Sequence, residues 1–569
     1  MQIYKTIPPS LTKEEVCAID TELYGLPRHQ LHRPNQGHFA SMQVCFDGKS
    51  VYVTQNETDV PKFMKAISKA THLFHNASFD IRHLRRWCSY PDKKDMFDTL
   101  ILERILWGGY FDSFGLKDLA RRYLDILVSK AEREEFATQE TMTPEMLTYA
   151  ATDALLTWQI FQKQKTFMRP EDLHIWNNLD KPALYAILDF KGMPMDKEKW
   201  IKLAQDNKQK AEEIQASLSF NLNSPKQVLE ALHKMGIKKI ESTEAKTLAQ
   251  FSQYPLVSNI LLYRTLNKRA STYGLDFAER YIEANNKVYS DYDVTMASTG
   301  RMSSSDPNSQ NLPSEKSYRE CFIAESGHEI VVLDYSAQEP RITAYESGDS
   351  TLLEALQNKK VDVHTAVTRD IYDDQTIKKS DPRRHFGKAM NLGLTYGLTA
   401  TGLRRKLYEE DGIEMPYEQA EELVSKYFRK FSKVKYWIDQ IRKFGERNGY
   451  VQTHSGRRTW LNRYNYHWLN NACNSPIQGG AADVTKLALA RFRSDCQKAN
   501  LEFPVIAVVH DEFVLHVPKE LLETYTKIAE TAMVEEAEKL YTGVPFEVEI
   551  KHGRSWACKV EEEETLTQL

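Results

Sequence analysis

Asp20-x-Glu22 places two carboxylates two residues apart in the apolar context CAIDTELY. Side chains of an extended strand alternate faces, so both acids point to one side. Two further motifs follow: Asn76-x-x-x-Asp80 in HLFHNASFD and Tyr149-x-x-x-Asp153 in MLTYAATDALLTWQIF. The second has a helical pattern, which sets Tyr149 one turn from Asp153 on the same face. Four carboxylates converging with a tyrosine suit metal-assisted phosphodiester hydrolysis. One ion sharpens an attacking water and the other stabilises the leaving oxygen, with the two ions roughly 4 Å apart. Ligands that are all hard oxygens favour Mg²⁺, with Mn²⁺ as the alternative, over Zn²⁺.

A second carboxylate set lies in the last half. Asp334 closes the apolar run of VVLDYSAQEPR, and Asp511-Glu512 follows His510 in VVHDEFVLHV. The first segment predicts a buried strand ending at Asp334, a turn, and a helix from near Pro340, where proline is tolerated. The second predicts a hairpin with acids at its turn. Such residues are usually turn formers alone, so these gain meaning from a third motif. In Arg384-x-x-x-Lys388-x-x-x-Leu392-x-x-x-Tyr396, steps of four advance about 400° each and keep all four residues on one helix face. Two cations near the helix N-terminus form a triphosphate clamp, and an aromatic further along can stack on a base or sugar. The chemistry expected is synthesis of nucleic acid at one centre and trimming at the other.

These groups need scaffolds. Up to about residue 165 strand-like stretches (EVCAIDTE, MQVCFDGKSVYVT) alternate with helical ones (PKFMKAISKA and the segments after Asp98), which predicts an α/β domain. A helical section follows, clearest in KEKWIKLAQDNKQKAEEIQASL and SPKQVLEALHKMGI. Strands return beyond about residue 290, interrupted by roughly 150 residues of mostly helical pattern. No repeat or low-complexity linker divides the chain. The 569 residues suffice for several domains. A net charge of -4 excludes a simple basic DNA-coating protein without excluding a locally basic groove. The seven scattered cysteines read as small core residues in a reducing compartment. No apolar run is long enough to span a membrane, and no signal or transit peptide is expected.

With FDTLILERILWGG and FGLKDLARRYL, the first motif set resembles the DEDDy proofreading exonucleases of the RNase D-like superfamily across residues 1–165. Its departure is DTELYGLP after the glutamate. Most of the chain resembles the family A DNA polymerases. The marks are FNLNSPKQVLEALHKMGI, LLYRTLNKRASTY, STGRMSSSDPNSQNLP, DYSAQEPR, RRHFGKAMNLGLTYG, NSPIQGGAADVTKLAL and VVHDE.

The resemblance implies an RNase H-like α/β exonuclease domain (1–165) beside an α+β right-hand polymerase (166–569). The thumb would span about 195–290, the palm about 291–350 and 470–569, and the fingers about 351–469. It implies that Asp334 and Asp511 bind two Mg²⁺ ions, with Tyr335 as a further contact and Glu512 auxiliary. Asp20, Glu22, Asp80 and Asp153 would hold the second ion pair. Arg384, Lys388 and His364 would bind the triphosphate, Lys388 also serving as acid, and Tyr396 would guard the nascent pair beside Leu392. Glu339 would act as a steric gate against ribose. Arg301, Asn474 and Gln478 would read the minor groove, with His510 as another DNA contact. Expected partners are primer–template DNA, dNTPs and a helicase or single-strand-binding protein, for a monomer in the cytoplasm or an organelle. The 5′-nuclease domain of the cellular enzyme and the processivity insertion of some phage members are expected to be absent.

The chain departs from the family in three places: Leu392 where Phe or Tyr is usual, Asn470 in place of a template-side arginine, and the pair Ala337-Gln338 for Gln-Ile. In the basic run from Lys426 to Arg458, Arg457 and Arg458 are expected to contact DNA phosphates. Competing readings are a single-subunit RNA polymerase relative and a non-catalytic DNA-binding scaffold.

Overall fold

The computed structural model describes residues 1–559 except 26–29, 31, 34–35, 93, 129–135, 137–138, 140, 358–360, 394–396, 412 and 466–467. Its first domain is built on six strands: β1 (Gln2–Tyr4), β2 (Val16–Tyr24), β3 (His38–Cys45), β4 (Ser50–Thr54), β5 (Thr71–Phe74) and β6 (Met96–Asp98). They lie in the order β1-β4-β3-β2-β5-β6. The β1–β4, β2–β5 and β5–β6 pairs are parallel, and β2–β3 and β3–β4 are antiparallel. The MQVCFDGKSVYVT segment divides between β3 and β4. Asp47 Oδ1 accepts from the amides of Lys49 and Ser50 at 2.8 and 2.7 Å, and Gly48 takes φ +69°. A short side chain with a glycine behind it turns the strand back on itself.

Two helices complete the scaffold of the first acids: α1 (Ala77–Trp87) and α2 (Pro144–Gln164). Thr143 Oγ1 accepts from the Met146 amide at 3.2 Å and Pro144 occupies the first turn, so α2 starts on a side-chain cap. It packs across β2 and β3. Helical segments Pro170–Ile175 and Lys181–Leu188, joined by a π-helical turn at Trp176–Asp180, connect the first domain to the rest. The Trp176 indole donates to Met96 O at 2.8 Å, which ties this connector to β6.

The second sheet contains β7 (His328–Tyr335), β8 (Val505–Val509), β9 (Glu512–Pro518) and β10 (Val548–Gly553). The order is β8-β9-β7-β10 and every pair is antiparallel. Val331, Leu333, Phe513 and Leu515 belong to the main core, whereas Ile330, Val332 and Val514 join a second cluster with Trp200, Phe322 and Trp556. Both faces are therefore covered, and the period-2 alternation of apolar residues is divided between two cores.

Around this sheet run α3 (Gln338–Ser347), α4 (Val363–Tyr372), α5 (Arg383–Gly393) and the long α6 (Trp468–Lys498). The predicted helix at KEKWIKLAQDNKQKAEEIQASL spans Lys197–Ala216, capped by Asp196, whose Oδ1 accepts from the Lys199 amide at 2.9 Å. The mostly helical stretch before α6 also contains a hairpin, Tyr450–Gln452 against Arg458–Trp460, which the helical reading passes over.

Candidate functional site

The first centre is assembled by three elements. Asp20 and Glu22 sit on β2 opposite Gln43 and Ser41 of β3, and the ladder is irregular immediately after Glu22. Between them, Thr21 donates its amide and its hydroxyl to Asp80 Oδ1 at 2.9 and 2.8 Å. This pair of hydrogen bonds ties Asp80, in the first turn of α1, to the residue of β2 that lies between Asp20 and Glu22. Asp80 is buried; burial pushes its carboxyl up to about 8, against the two Thr21 hydrogen bonds that favour the ionised form. Tyr149 and Asp153 both lie on α2, the helix packed on β2 and β3, so the expected spacing is realised on one continuous helix.

The second centre forms where β7 meets the β8–β9 hairpin. Asp334 on β7 is the register partner of Glu512 on β9. Val509 and Glu512 pair to close a two-residue turn of His510 and Asp511, with His510 at φ +59°. Glu512 is buried, and its Oε1 accepts from the Trp556 indole at 3.0 Å. Tyr335 donates its hydroxyl to Met533 O at 2.7 Å, so its side chain is committed to the core. His510 and Asp511 line a small cleft with Arg301, Gln338, Ala481 and Thr485.

On the cleft's rim, Arg301 Nη2 donates to Glu339 Oε1 at 2.5 Å. Burial raises the Glu339 carboxyl while Arg301 opposes the rise. Helix α3 starts at Gln338, two residues before Pro340, because Ala337 adopts a left-handed conformation that ends the turn early. Gln338, the polar departure in this motif, is buried, and its amide donates to Ala481 O at 3.4 Å.

Helices α4 and α5 bring the cationic groups together. Gly387 lets them approach: a Cβ there would run into the Thr368 hydroxyl and lie 3.0 Å from His364 O. Arg384 donates to Asp362 Oδ1 at 2.8 and 3.1 Å and to Thr365 Oγ1 at 3.1 Å. Burial pulls His364 down to about 4, and the charges of Arg384 and Lys388 add to this. Lys388 is exposed one turn after Arg384. Arg384 and Lys388 lie on the described span of α5, Arg383–Gly393. Tyr396 and the side chain of Leu392 lie outside the described residues.

Asn474 and Gln478 lie four residues apart on α6, and the Asn474 Oδ1 is buried with no hydrogen-bond partner among the described residues. Near Asn470, the backbone of Gly397 runs against Arg442, and a Cβ on Gly397 would stand 2.8 Å from Asn470 Oδ1. A cation therefore neighbours the position where Asn470 departs from the family's arginine, supplied from the preceding helix.

Two expected DNA contacts are corrected. Arg457 is buried, with all three guanidinium nitrogens bonded to Asp180 and Asp483. Arg458 is turned inward as well, reaching Asp172 at 3.2 Å. Each meets a carboxylate far away in sequence, so neither is presented to a duplex. Asp180, Asp362 and Arg442 carry no local signal that marks them as partners, and sequence reasoning passed over them.

The fold joins an α/β domain that carries one carboxylate set to a larger domain that carries the other on a four-stranded antiparallel sheet. The pattern of DNA polymerase family A matches residues 195–558, and that of the 3′–5′ exonuclease domain matches residues 5–167. The chain belongs to DNA polymerase family A. It is 31% identical over 409 residues to DNA polymerase I of Caldicellulosiruptor bescii, covering 67% of this chain and 47% of that protein. It is 28% identical over 531 residues to DNA polymerase I of Aquifex aeolicus, covering 88% of this chain and 90% of that protein. With the thermostable DNA polymerase I of Thermus thermophilus it shares 32% over 439 residues, 72% of this chain and 51% of the relative. The chain thus spans about half the length of two of these relatives.

Among solved structures, the polymerase domain of Pol1 from M. smegmatis, in complex with DNA primer-template and dNTP, superposes with a TM-score of 0.81. The match covers 97% of both chains at 23% identity. Both carboxylate sets offer oxygen donors alone, which suits divalent cations. Among the described residues, no helix is long and apolar enough to cross a membrane.

Proposed function

We propose that this chain extends a DNA primer on a DNA template from dNTPs and trims mispaired 3′ ends at its first domain. The observation that carries the reading is the pairing of Asp334 with Glu512 beside Asp511, within a fold whose helices α4 and α5 gather His364, Arg384 and Lys388. Asp334 and Asp511 would hold two Mg²⁺ ions at the polymerase centre, and Asp20, Glu22, Asp80 and Asp153 two at the exonuclease centre, with Mn²⁺ as the alternative. Bound there, the ions supply charge to the oxygens that gain it during phosphoryl transfer.

The chain's own residues do the rest. Arg384 and Lys388 bind the triphosphate oxygens, with Arg384 exchanging its hydrogen bonds to Asp362 for the nucleotide, and Lys388 gives a proton to the departing pyrophosphate. Glu339, held by Arg301, fills the space a ribose 2′-hydroxyl would need. Asn474 and Gln478 on α6, with Arg301 and His510 at the cleft, face the acceptors common to all correct pairs. Thr21 fixes Asp80 while Tyr149 orients the attacking water at the exonuclease centre. The protein works as a cytoplasmic or organellar monomer, with a helicase or single-strand-binding protein as its partner in replication or repair.

A labelled primer–template incubated with Mg²⁺ tests both centres. The primer should lengthen with dNTPs and shorten without them. Equal use of rNTPs and dNTPs would point to an RNA polymerase relative instead, and no change in either direction to a scaffold.

A further inference from the structure

Among the described residues, one trio of side chains brings mixed nitrogen and oxygen ligands together: Glu325, His328 and His516 each offer an atom within 4.8 Å of the other two. We infer that they form a zinc site at the end of the palm sheet remote from the carboxylates.

The backbone builds the trio from two elements. Glu325-Ser326-Gly327-His328 is a turn closed by the His328 amide donating to Glu325 O at 3.0 Å, with Gly327 at φ +79° supplying the left-handed residue. His328 then begins β7, where it pairs with Pro518 of β9, while His516 pairs with Ile330. The two histidines are therefore diagonal neighbours on one sheet face. The turn lies over β9, since the Glu325 amide donates to His516 Nε2 at 3.2 Å, a hydrogen bond that an ion bound at Nε2 displaces. His328 Nδ1 faces Ser326 O at 3.2 Å; donating its proton there fixes the tautomer and leaves Nε2 as the ligand atom. Two imidazoles and a carboxylate with a fourth position open to water are a ligand set of zinc, unlike the oxygen-only acids that suit Mg²⁺.

The two rings are stacked, with centroids 4.5 Å apart and planes 10° apart, so coordination turns them until their lone pairs converge. Lys287 Nζ stands 2.9 Å from Glu325 Oε1 and is the cation an incoming ion must displace. From His328 to Asp334 is six strand residues, on the order of 20 Å. The ion would staple turn to sheet and take no part in nucleotidyl transfer.

The experiment uses the full chain in millimolar Mg²⁺, which fills the carboxylate centres, with Zn²⁺ measured by elemental analysis after equilibrium dialysis and Co²⁺ by its visible absorption. Wild type should bind one Zn²⁺ more than H328A/H516A, and its Co²⁺ spectrum should show imidazole ligation that the double variant lacks. E325Q, which keeps both rings, should bind at least about 10-fold more weakly, and K287M about 10-fold more tightly. Equal Zn²⁺ content in wild type and H328A/H516A would overturn the site, as would an unchanged affinity in both E325Q and K287M. Primer extension plays no part in the readout, so failure of this site leaves the proposed function standing.

Discussion

Arg457 donates Nη1 and Nη2 to the two oxygens of Asp180 at 2.9 and 2.8 Å, while its Nε reaches Asp483 Oδ1 at 2.8 Å. Lys486 Nζ completes the cluster at 2.7 Å from Asp180 Oδ1. Two positive and two negative side chains, all buried, join the connector after the exonuclease domain to α6 and to the hairpin that carries Arg457. Gly300, one residue before Arg301, packs on the same guanidinium; a Cβ there would lie 2.6 Å from Arg457 Nε. Removing Arg457 leaves the buried Asp483 without its counter-ion and Asp180 with Lys486 alone, so Arg457→Met should destabilise the protein by about 3–5 kcal/mol in urea unfolding. A loss below about 0.5 kcal/mol would mean that water enters the cluster and solvates it.

The two carboxylate centres should separate genetically. Asp20→Ala with Glu22→Ala should lower 3′-end trimming more than about 100-fold, beyond the usual cost of losing a group that only supports a metal ligand, and leave extension intact. Asp511→Ala should do the reverse. Loss of both activities in either variant, measured on one labelled primer, would contradict independent centres.

Glu339→Ala removes a half-buried carboxylate and leaves Arg301 without its partner. Discrimination of dNTP over rNTP, taken as the ratio of kcat/KM values, should fall by about 1–3 kcal/mol, or 10–200-fold. An unchanged ratio would assign the gate elsewhere.

Helices α4 and α5 meet at Gly387. Gly387→Ala must push Thr368 or His364 aside, an overpacking that costs about 1–3 kcal/mol. Because His364 lies beside Arg384 and Lys388, KM for dNTP should rise more than kcat falls. Steady-state kinetics would check this.

Burial raises the Glu346 carboxyl from 4.5 to about 7, and its Oε1 has no hydrogen-bond partner among the described residues. The folded state therefore binds a proton more tightly than the unfolded state. Between about pH 4.5 and 7 the stability contributed by the neutral form is lost as pH rises. Glu346→Gln should match wild type near pH 4.5 and exceed it at pH 8 by at most about 3 kcal/mol. Parallel pH curves for the two proteins, followed by thermal melts, would remove the effect.

The amino-acid sequence by itself determined what local periodicity can carry. Alternation on β2 sets Asp20 and Glu22 on one side, the four-residue step sets Tyr149 beside Asp153, and an apolar run broken by His510-Asp511 makes a hairpin. These features depend on neighbours a few residues away, and the chain's own geometry enforces them. Which distant groups meet was decided only by tertiary structure. Thr21 finds Asp80 across 59 residues and Arg457 finds Asp180 across 277. The same arginine reads as a phosphate contact in a basic run and is instead a buried counter-ion. A guanidinium on a long stem will pair with whichever carboxylate the fold leaves unsatisfied, and nothing in the local pattern names that carboxylate.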